Sequence, residues 1–373
     1  MFKKSAFTFF AITLTYAFSG VPAQANDYVY GSFFGAKASE NSIGVAPTIK
    51  EIEKATNGAI RWKLLAGGQV VSGRGTLAAI RDKLIDSGLV VAPFTRKELA
   101  TNNTIFDMGF HGTDVVAVSG ASVETILVSC PECLAEYKKN NAVFLGGYAL
   151  SPFRLMCAKK VTSLADIANK KIRAVGSTAR WIKLLGGAPV SVPAPEAVPA
   201  MQRGALDCAV ASPGWLMALG YIEVTKSLID FTFGSPRGVG LWVLNRAAWD
   251  SMSLQHKKAM LKEMPMSQAR LTIDGYVKND LRNFAAARAK GITITKGGPK
   301  FSAKLLVHIA NEEKAIPAQL KGLGVKNPER IMSAFKVNLK KWEALSKDIG
   351  TDVDKFAKAL QTHIYDKLDA GKL

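Results

Sequence analysis

Apolar and polar positions follow two different periods along the first part of the chain. Residues 60–64 alternate apolar with basic side chains, which predicts a half-buried strand. Residues 76–86 carry leucine and isoleucine at helical spacing, and Gly88 is predicted to end that helix. The apolar runs 89–92 and 142–147 predict buried strands. This mixture of strands and amphipathic helices is typical of an α/β fold.

A second series of alternating strands and helices begins near Phe153. The predicted strands are 153–158, 171–175, 189–192, 206–210, 227–231 and 239–244, and the predicted helices are 163–168, 178–186, 195–203 and 213–222. Residues 253–290 contain few helix breakers and predict one long helix, which Pro265 kinks or interrupts. The segment after Asn327 keeps one apolar stripe at helical spacing and predicts a helical tail.

The chain has 373 residues, which is too long for one ordinary core and indicates two domains. It contains neither an internal repeat nor a low-complexity linker, so crossing strands are expected to join the two α/β units. The predicted division assigns residues 1–25 to a signal peptide, 26–152 with 241–282 to domain I, 153–240 with 283–340 to domain II, and 341–373 to a C-terminal helical tail that packs on the lobes.

The first residues have the pattern of a secretory signal. Lys3 and Lys4 precede an apolar segment over 6–18, and Ala23 and Ala25 supply a small-x-small cleavage pattern. The apolar segment is shorter than the roughly 20 residues that a membrane-spanning helix needs. We therefore expect an exported periplasmic protein that is cleaved after Ala25, and a retained N-terminal anchor is the alternative.

The formal net charge of +19 raises the possibility of a nucleic-acid partner. Lysine and arginine are scattered, however, and no basic run is interleaved with aromatic residues. The charge therefore indicates a solvated basic surface on a protein that handles anions, and no nucleic-acid partner is expected.

Four cysteines lie in the chain: Cys130, Cys133, Cys157 and Cys208. In an oxidising compartment an even number favours disulfides. The CxxC spacing of Cys130 and Cys133 also fits a redox dithiol or half of a zinc site, but no second CxxC or histidine pair completes a zinc site. The favoured pairs are Cys130–Cys133 and Cys157–Cys208, although the sequence alone leaves three connectivities open.

The stretch from Phe153 to Asp230 carries the most specific signal. In order, it contains SLADI (163–167), KIRAV (171–175), LGGAPV (185–190), EAVPAMQRG (196–204) with LDC (206–208), and EVTK (223–226). The order and spacing resemble the DctP-type solute receptors of tripartite ATP-independent periplasmic (TRAP) transporters. Segments in 34–88 (TNGAI, 56–60) and the tail (LGV, 323–325; GTD, 350–352) are similar to the family as well, so the resemblance covers nearly the whole chain after residue 25.

The resemblance implies a bilobal, type II periplasmic-binding-protein-like α/β fold, in which two domains are joined by crossing strands and a long helix with a cleft between them. It implies a monomeric receptor that binds a small organic acid and works with one small and one large integral membrane permease subunit. No cofactor, metal or catalytic residue is expected.

Arg173 is the main candidate for binding the ligand. In the family this arginine faces the cleft at a strand end and pairs with the ligand carboxylate. A planar guanidinium offers two parallel donors that match the two carboxylate oxygens. Arg154 is a second candidate because some members place another ligand-contacting arginine there, but a structural ion pair is an equal alternative. Ser212 lies close to a polar contact of many relatives, and it fits a helix N-cap equally well.

Aromatic residues are candidates for the pocket wall: Trp215, Trp181, Phe34 and Phe94. Glu40 lies before the first predicted helix, where free backbone N–H groups are able to receive an anion. The sequence departs from the family at Glu196, since relatives often have tyrosine two residues later and this chain has Val198. That departure leaves the identity of the acid open.

Two other functions remain at this point. A periplasmic thiol–disulfide oxidoreductase would use Cys130 and Cys133, although the motif lies outside the cleft-forming segments. A sensory receptor of the same fold would bind the same ligand without a transporter.

Overall fold

The computed structural model describes residues 26–373 together with Phe2. The predicted cleavage pattern at 23–25 and nearly all of the predicted signal peptide lie outside the described residues. The strands are β1 Asn26–Gly31, β2 Ile60–Leu65, β3 Ser87–Val90, β4 Ala142–Tyr148, β5 Arg154–Cys157, β6 Lys171–Arg173, β7 Ala188–Val190, β8 Cys208–Ala211, β9 Ser227–Asp230, β10 Val239–Asn245 and β11 Thr293–Lys296.

The helices fall between these strands and in the C-terminal part. They are α1 Ala46–Ala55, α2 Thr76–Arg81, α3 Ala100–Asp107, α4 Val115–Glu124, α5 Pro131–Lys139, α6 Ser177–Leu184, α7 Ala194–Gln202, α8 Trp215–Ala218, α9 Tyr221–Val224, α10 Arg246–Asp250, α11 Leu254–Arg270, α12 Lys278–Ala289, α13 Pro299–Gly322, α14 Pro328–Ile349 and α15 Val353–His363. Wider π-helical turns cover Glu40–Val45, Thr125–Ser129 and Leu271–Val277, and 3₁₀ turns cover Ala92–Thr95, Ala165–Ile167 and Tyr365–Lys367.

The strands form two separate sheets, and each sheet defines one lobe. The first sheet has the order β2-β1-β3-β10-β4, and the second has the order β11-β9-β5-β8-β6-β7. In the first sheet β10 runs antiparallel to both β3 and β4, while β1 pairs in parallel with β2 and β3. In the second sheet β5 runs antiparallel to β8 and β9. The predicted bilobal α/β fold is confirmed.

Within residues 26–373 the chain passes from one sheet to the other three times. The segments 149–153 and 231–238 cross side by side, because the N–H of Leu150 donates to the carbonyl of Pro236 and the N–H of Phe153 donates to that of Gly234. The third crossing is the helical run from α11 through the turn Leu271–Val277 to α12, which leads into β11. Pro265 lies inside α11, and the predicted long helix is therefore continuous apart from the wider turn.

Three predicted helices differ from the structure. The helix predicted for 163–168 is only the 3₁₀ turn Ala165–Ile167. The helix predicted for 76–86 ends at Arg81, because Lys83 takes a left-handed conformation at φ 58°. Gly88 lies inside β3 rather than at a helix end, and a Cβ there would come within 2.9 Å of the Gly31 carbonyl oxygen. The helix predicted for 213–222 is divided into α8 and α9 at Gly220, which has a φ of 77°.

Both favoured disulfides are present in the structure. Cys130 is bonded to Cys133 at the start of α5, and Cys157 is bonded to Cys208. Cys157 and Cys208 are direct partners in the β5–β8 register, so their bond joins two neighbouring strands of the second sheet.

The helices within residues 26–373 differ from membrane-spanning helices in length or composition. No single helix in that range is long and apolar enough to span a membrane. Within the same range, only the consecutive helical segments Val115–Ser129 and Pro131–Lys139 together have the length and composition of a span, and the chain bends by 77° between them. The same range holds no cluster of histidine, cysteine and acidic residues that fits a metal ion.

Candidate functional site

A cavity lies where the two lobes meet. It encloses about 380 Å³ of space outside the protein atoms, part of it open to solvent. Small-molecule sites occur preferentially at boundaries of this kind between domains. Its lining residues are Phe33, Phe34, Val91, Phe94, Phe106, Tyr148, Leu150, Phe153, Arg173, Val175, Ala194, Trp215, Pro236 and Val239.

The lining has three parts, which come from different elements. The first wall belongs to the first lobe and consists of Phe33, Phe34, Val91, Phe94, Phe106, Tyr148 and Val239. The second wall belongs to the second lobe and consists of Arg173, Val175, Ala194 and Trp215. The floor is formed by Leu150, Phe153 and Pro236, which lie on the two crossing segments.

Arg173 supplies the only charged side chain of the lining. It is the last residue of β6, and only 3% of its surface is exposed. Its Nε donates to the Val192 carbonyl oxygen at 3.1 Å, and its Nη1 donates to the Val210 carbonyl oxygen at 2.9 Å. These two bonds fix the plane of the guanidinium and leave Nη2 without a hydrogen bond to any described protein atom.

No carboxylate within the described part of the chain forms an ion pair with Arg173. Burial lowers the pKa of this guanidinium, and the nearby Tyr221 hydroxyl raises it only in part. An arginine nevertheless stays protonated in proteins, so a cation is held in a site from which most water is excluded. Such a charge is costly until an anion pairs with it.

Aromatic rings surround this cation. The Arg173 guanidinium lies 5.7 Å from the centroid of the Trp215 ring and 5.8 Å from that of Phe153. Both rings attract a cation with their faces. Trp215 also meets Phe34 of the first wall, with ring centroids 6.2 Å apart, so the two walls are in contact in this conformation.

The cleft is also closed at its mouth. The Nη2 of Arg74, which follows β2, donates to the carbonyl oxygen of Ser191 in the second lobe at 2.7 Å. The same guanidinium lies 5.5 Å from the centroid of the Phe94 ring. Because Arg74 is exposed, this contact is weaker than a buried one would be.

Glu40 lies behind the first wall and does not line the cavity. Its side chain is fully buried, and its Oε1 accepts hydrogen bonds from the hydroxyls of Tyr276 and, at 3.3 Å, of Tyr148. Burial raises the pKa of this carboxyl, although the donors around it oppose the shift. The sequence predicted that backbone N–H groups near Glu40 would receive an anionic ligand. In the structure the buried carboxyl of Glu40 itself lies there, bonded to the two tyrosines.

Three other candidates also lie away from the cavity. Arg154 donates from Nε to Asp230 at 2.7 Å, which is the structural ion pair that was the alternative for it. The Ser212 hydroxyl accepts from the N–H of Gly214 at 3.2 Å, in a turn before α8. Trp181 is fully buried and packs against His308 and Phe110.

Four of the candidates line the cavity: Arg173, Trp215, Phe34 and Phe94. The other lining residues, among them the floor and Tyr148, were not predicted from the sequence. Tyr148 is the last residue of β4, which is buried on both faces. The sequence of such a strand does not alternate between apolar and polar residues, so it does not show which face Tyr148 lies on. The floor residues lie on the crossing segments, where neither the strand nor the helix period applies.

Cys130 and Cys133 do not form an exposed redox centre. Both are fully buried and bonded to each other, and they lie at α5, which contributes nothing to the cavity. A redox cysteine needs a reachable sulfur. The oxidoreductase alternative is therefore not supported.

Solved structures with the same architecture come from several bacteria. A TRAP solute-binding protein from Rhodoferax ferrireducens, in complex with copurified benzoate, has a TM-score of 0.75 at 16% identity, covering 86% of this chain and 100% of that chain. A TRAP solute-binding protein of an unidentified marine microbe, specific for aromatic acid ligands, has a TM-score of 0.74 at 20% identity, covering 85% and 99%. A Bordetella pertussis extracytoplasmic solute receptor binding pyroglutamic acid has a TM-score of 0.71 at 16% identity, covering 84% and 100%.

At these identities the solved structures establish the fold alone. The family is established by the sequence itself, because the profile described as bacterial extracellular solute-binding protein, family 7 (DctP) matches residues 36–309. That range is well over half of the chain and includes Arg173, Trp215 and Phe94. The chain therefore belongs to the DctP family of bacterial extracellular solute-binding proteins, and it is a solute receptor rather than an enzyme.

Proposed function

We propose that this receptor captures a small monocarboxylic acid with an aromatic body in the cavity between its lobes and delivers it to a TRAP-type transporter. The observation that carries the proposal is the buried guanidinium of Arg173, which no described carboxylate neutralises. We assign the carboxylate oxygens to Nη2 and the second N–H of Nη1, for which the described residues provide no acceptor.

The number of charges in the cavity favours one carboxylate on the ligand. Arg173 is the single cation of the lining, and Glu40 lies behind the opposite wall. A second carboxylate would be buried without a partner, which costs several kcal/mol in effective terms. A dicarboxylate is therefore expected to bind much more weakly than a monocarboxylate.

The remaining lining supports an aromatic body. Phe33, Phe34, Phe94 and Trp215 present ring faces and edges to a space of about 380 Å³. Rings pack on rings with a gain beyond their buried area. Two of the solved relatives bind benzoate or aromatic acids, which agrees with this choice, and the pyroglutamate receptor gives the test its competing ligand.

The proposal includes the setting in which the receptor works. The signal peptide is cleaved after Ala25, and the mature receptor acts in the periplasm as a monomer with a small and a large integral permease subunit and without nucleic acid. Domain I comprises 26–152 with 241–282, and domain II comprises 153–240 with 283–340; the membership of β10 in the first sheet and of β11 in the second supports this division. The tail 341–373 packs on the lobes, and the contact of α15 with α11 supports its place.

Isothermal titration with matched ligands tests the proposal. Benzoate, benzamide, phthalate and pyroglutamate are titrated into the wild-type receptor and into Arg173→Ala. Benzoate is expected to bind, benzamide to bind at least about a hundredfold more weakly because it lacks the charge, and Arg173→Ala to lose benzoate binding.

Arg154→Ala is the matched control, because it removes another second-lobe arginine that pairs with Asp230 outside the cavity. It is expected to bind benzoate as the wild type does. Equal affinity for benzoate and benzamide, or retained binding in Arg173→Ala, would overturn the role of Arg173. Preference for phthalate or pyroglutamate would overturn the aromatic monocarboxylate.

A further inference from the structure

Two buried polar groups on opposite sides of the lobe boundary lack hydrogen-bond partners. Oε2 of Glu40, behind the first wall, accepts no hydrogen bond from the described atoms, and Nε1 of Trp215, on the second wall, donates none to them. Glu40 is fully buried and Trp215 is 4% exposed, so solvent does not satisfy either group well. An unsatisfied buried polar group typically costs about 1–3 kcal/mol.

The two groups are linked through the cavity lining. Tyr148 and Trp215 line the same cavity, and the Tyr148 hydroxyl is bonded to Glu40. Trp215 is among the donors that lower the pKa of the Glu40 carboxyl, although its N–H makes no hydrogen bond to the carboxylate in this conformation. The other oxygen of Glu40 is held by Tyr276 and Tyr148, and these bonds fix the direction of the carboxyl. An approach of the indole to Oε2 would pair the two groups.

Trp215 is also the ring that packs against the ligand-binding cation. Its indole lies between the Arg173 guanidinium, at 5.7 Å, and Phe34 of the first wall, at 6.2 Å. A contact that fixes the Trp215 ring therefore also fixes the surroundings of the Arg173 guanidinium. Glu40 lies too far behind the wall to touch a ligand in the cavity, since it is not part of the lining.

We propose that Glu40 is a positioning residue of the ligand site: when the acid is bound, its Oε2 accepts a hydrogen bond from Nε1 of Trp215 across the lobe boundary and fixes the indole against Arg173. This inference rests on the proposed function, because it assigns a contact beside the same cavity. The acid then gains affinity from a bond that it does not itself make, since the bond exists only in the liganded state.

A double-mutant cycle tests the pairing. Glu40→Met removes the acceptor at similar size, and Trp215→Phe removes the donor while keeping a ring. Affinities for benzoate, mandelate and pyroglutamate are measured by isothermal titration for the wild type, both single variants and the double variant. Each single variant is expected to bind about tenfold more weakly, and the double variant no more weakly than either, because one bond is lost in all three.

The conservative variant separates positioning from packing. In Glu40→Gln the amide oxygen still accepts from Trp215, so affinity is expected to stay within about threefold of the wild type. A double variant about a hundredfold weaker, which is the additive result, would overturn the proposal. A Glu40→Gln variant as weak as Glu40→Met would overturn it as well.

A spectroscopic measurement on the wild type avoids any dependence on the folding of Glu40→Met. The indole Nε1–H resonance of Trp215, assigned by its loss in Trp215→Phe, is expected to move downfield when benzoate saturates ¹⁵N-tryptophan-labelled receptor. An unchanged resonance in the saturated receptor would overturn the pairing.

The two proposals fail in different ways. If Arg173→Ala binds the acids as tightly as the wild type, the proposed function fails. The double-mutant cycle then decides separately whether Glu40 and Trp215 form a pair. If Arg173→Ala loses binding but the cycle is additive, only the role of Glu40 fails. If none of the three acids binds to the wild type, both proposals fail.

Discussion

The two walls of the cavity are built for different tasks. The first wall is almost entirely apolar, and the hydroxyl of Tyr148, its single polar side-chain group, is already bonded to Glu40. The second wall carries the cation Arg173, whose Nε and Nη1 are fixed by backbone carbonyls of two neighbouring segments. Under the proposed function, the first wall would select the acid by shape and the second by charge.

This division has a physical reason. A buried cation needs rigid acceptors to hold its direction, and the carbonyls of Val192 and Val210 beside the end of β6 provide them. An aromatic wall needs no such fixed partners, and it is assembled from the segments that follow β1 and β3 together with residues of α3, β4 and β10. Changes in the first wall should alter which acid binds, whereas changes in the second wall should decide whether any acid binds.

The largest effect is expected from Arg173→Lys, which keeps the charge of the second wall but loses the planar fork. Affinity for benzoate should fall about fiftyfold, because an ammonium makes no bidentate pair with a carboxylate. Isothermal titration measures the loss, and Arg154→Lys is the control that should leave affinity unchanged. A Lys variant within about threefold of the wild type would mean that charge alone suffices.

A smaller effect is expected from Phe34→Ala on the first wall. It removes a ring that packs on Phe33 and Trp215, so benzoate should bind about tenfold more weakly while acetate is hardly affected. Competition titration with the two acids measures the difference. Equal losses for both acids would contradict selection by shape.

Arg74→Gln should change only the lifetime of the closed state. It removes the exposed bond to the Ser191 carbonyl and the contact with Phe94, so benzoate should dissociate about threefold faster. Stopped-flow displacement measures the rate. A tenfold or greater loss would instead place Arg74 within the ligand site.

The smallest effect is expected from Asp280→Asn, beside the start of α8 in the second lobe. Burial raises the pKa of the Asp280 carboxyl to about 7, and contacts with Ser151, Arg154 and the Gly214 N–H oppose the shift. The folded receptor therefore binds a proton that the unfolded chain releases above about pH 4, so this group lowers stability as pH rises towards 7.

The asparagine variant does not titrate, which makes the comparison simple. Its melting temperature should match the wild type near pH 4 and exceed it by about 3 °C at pH 8. Differential scanning calorimetry at the two pH values measures this. An equal difference at both values would show that ionisation of Asp280 does not matter.

Local patterns in the sequence were sufficient for most elements. The strand predicted at 227–231 and the apolar stripe of the helix after Asn327 correspond to β9 and α14, because both depend on short periods that tertiary contacts preserve. The helix predicted over 76–86 failed, since Leu84 fits the helical stripe but is 70% exposed beyond the turn at Lys83.

Only the part of the site that lies in family motifs could be predicted with a specific role. Arg173 was found from its place in KIRAV, and its burial without a carboxylate agrees with the role expected for it. Trp181 and Trp215 could not be separated from the sequence, because both lie on short helices with apolar neighbours. Their different surroundings depend on α13, which brings His308 against Trp181 from more than a hundred residues away.

The crossing segments that form the floor of the cavity are also the joints of the molecule. The N–H of Leu150 donates to the carbonyl of Pro236 across the two segments, and both residues line the cavity. Under the proposed function, an acid that contacts this surface would act directly on the torsion angles of the segments that connect the lobes. Recognition and motion would then depend on the same few peptide units, and a substitution that reshapes the bottom of the pocket would change how readily the receptor opens.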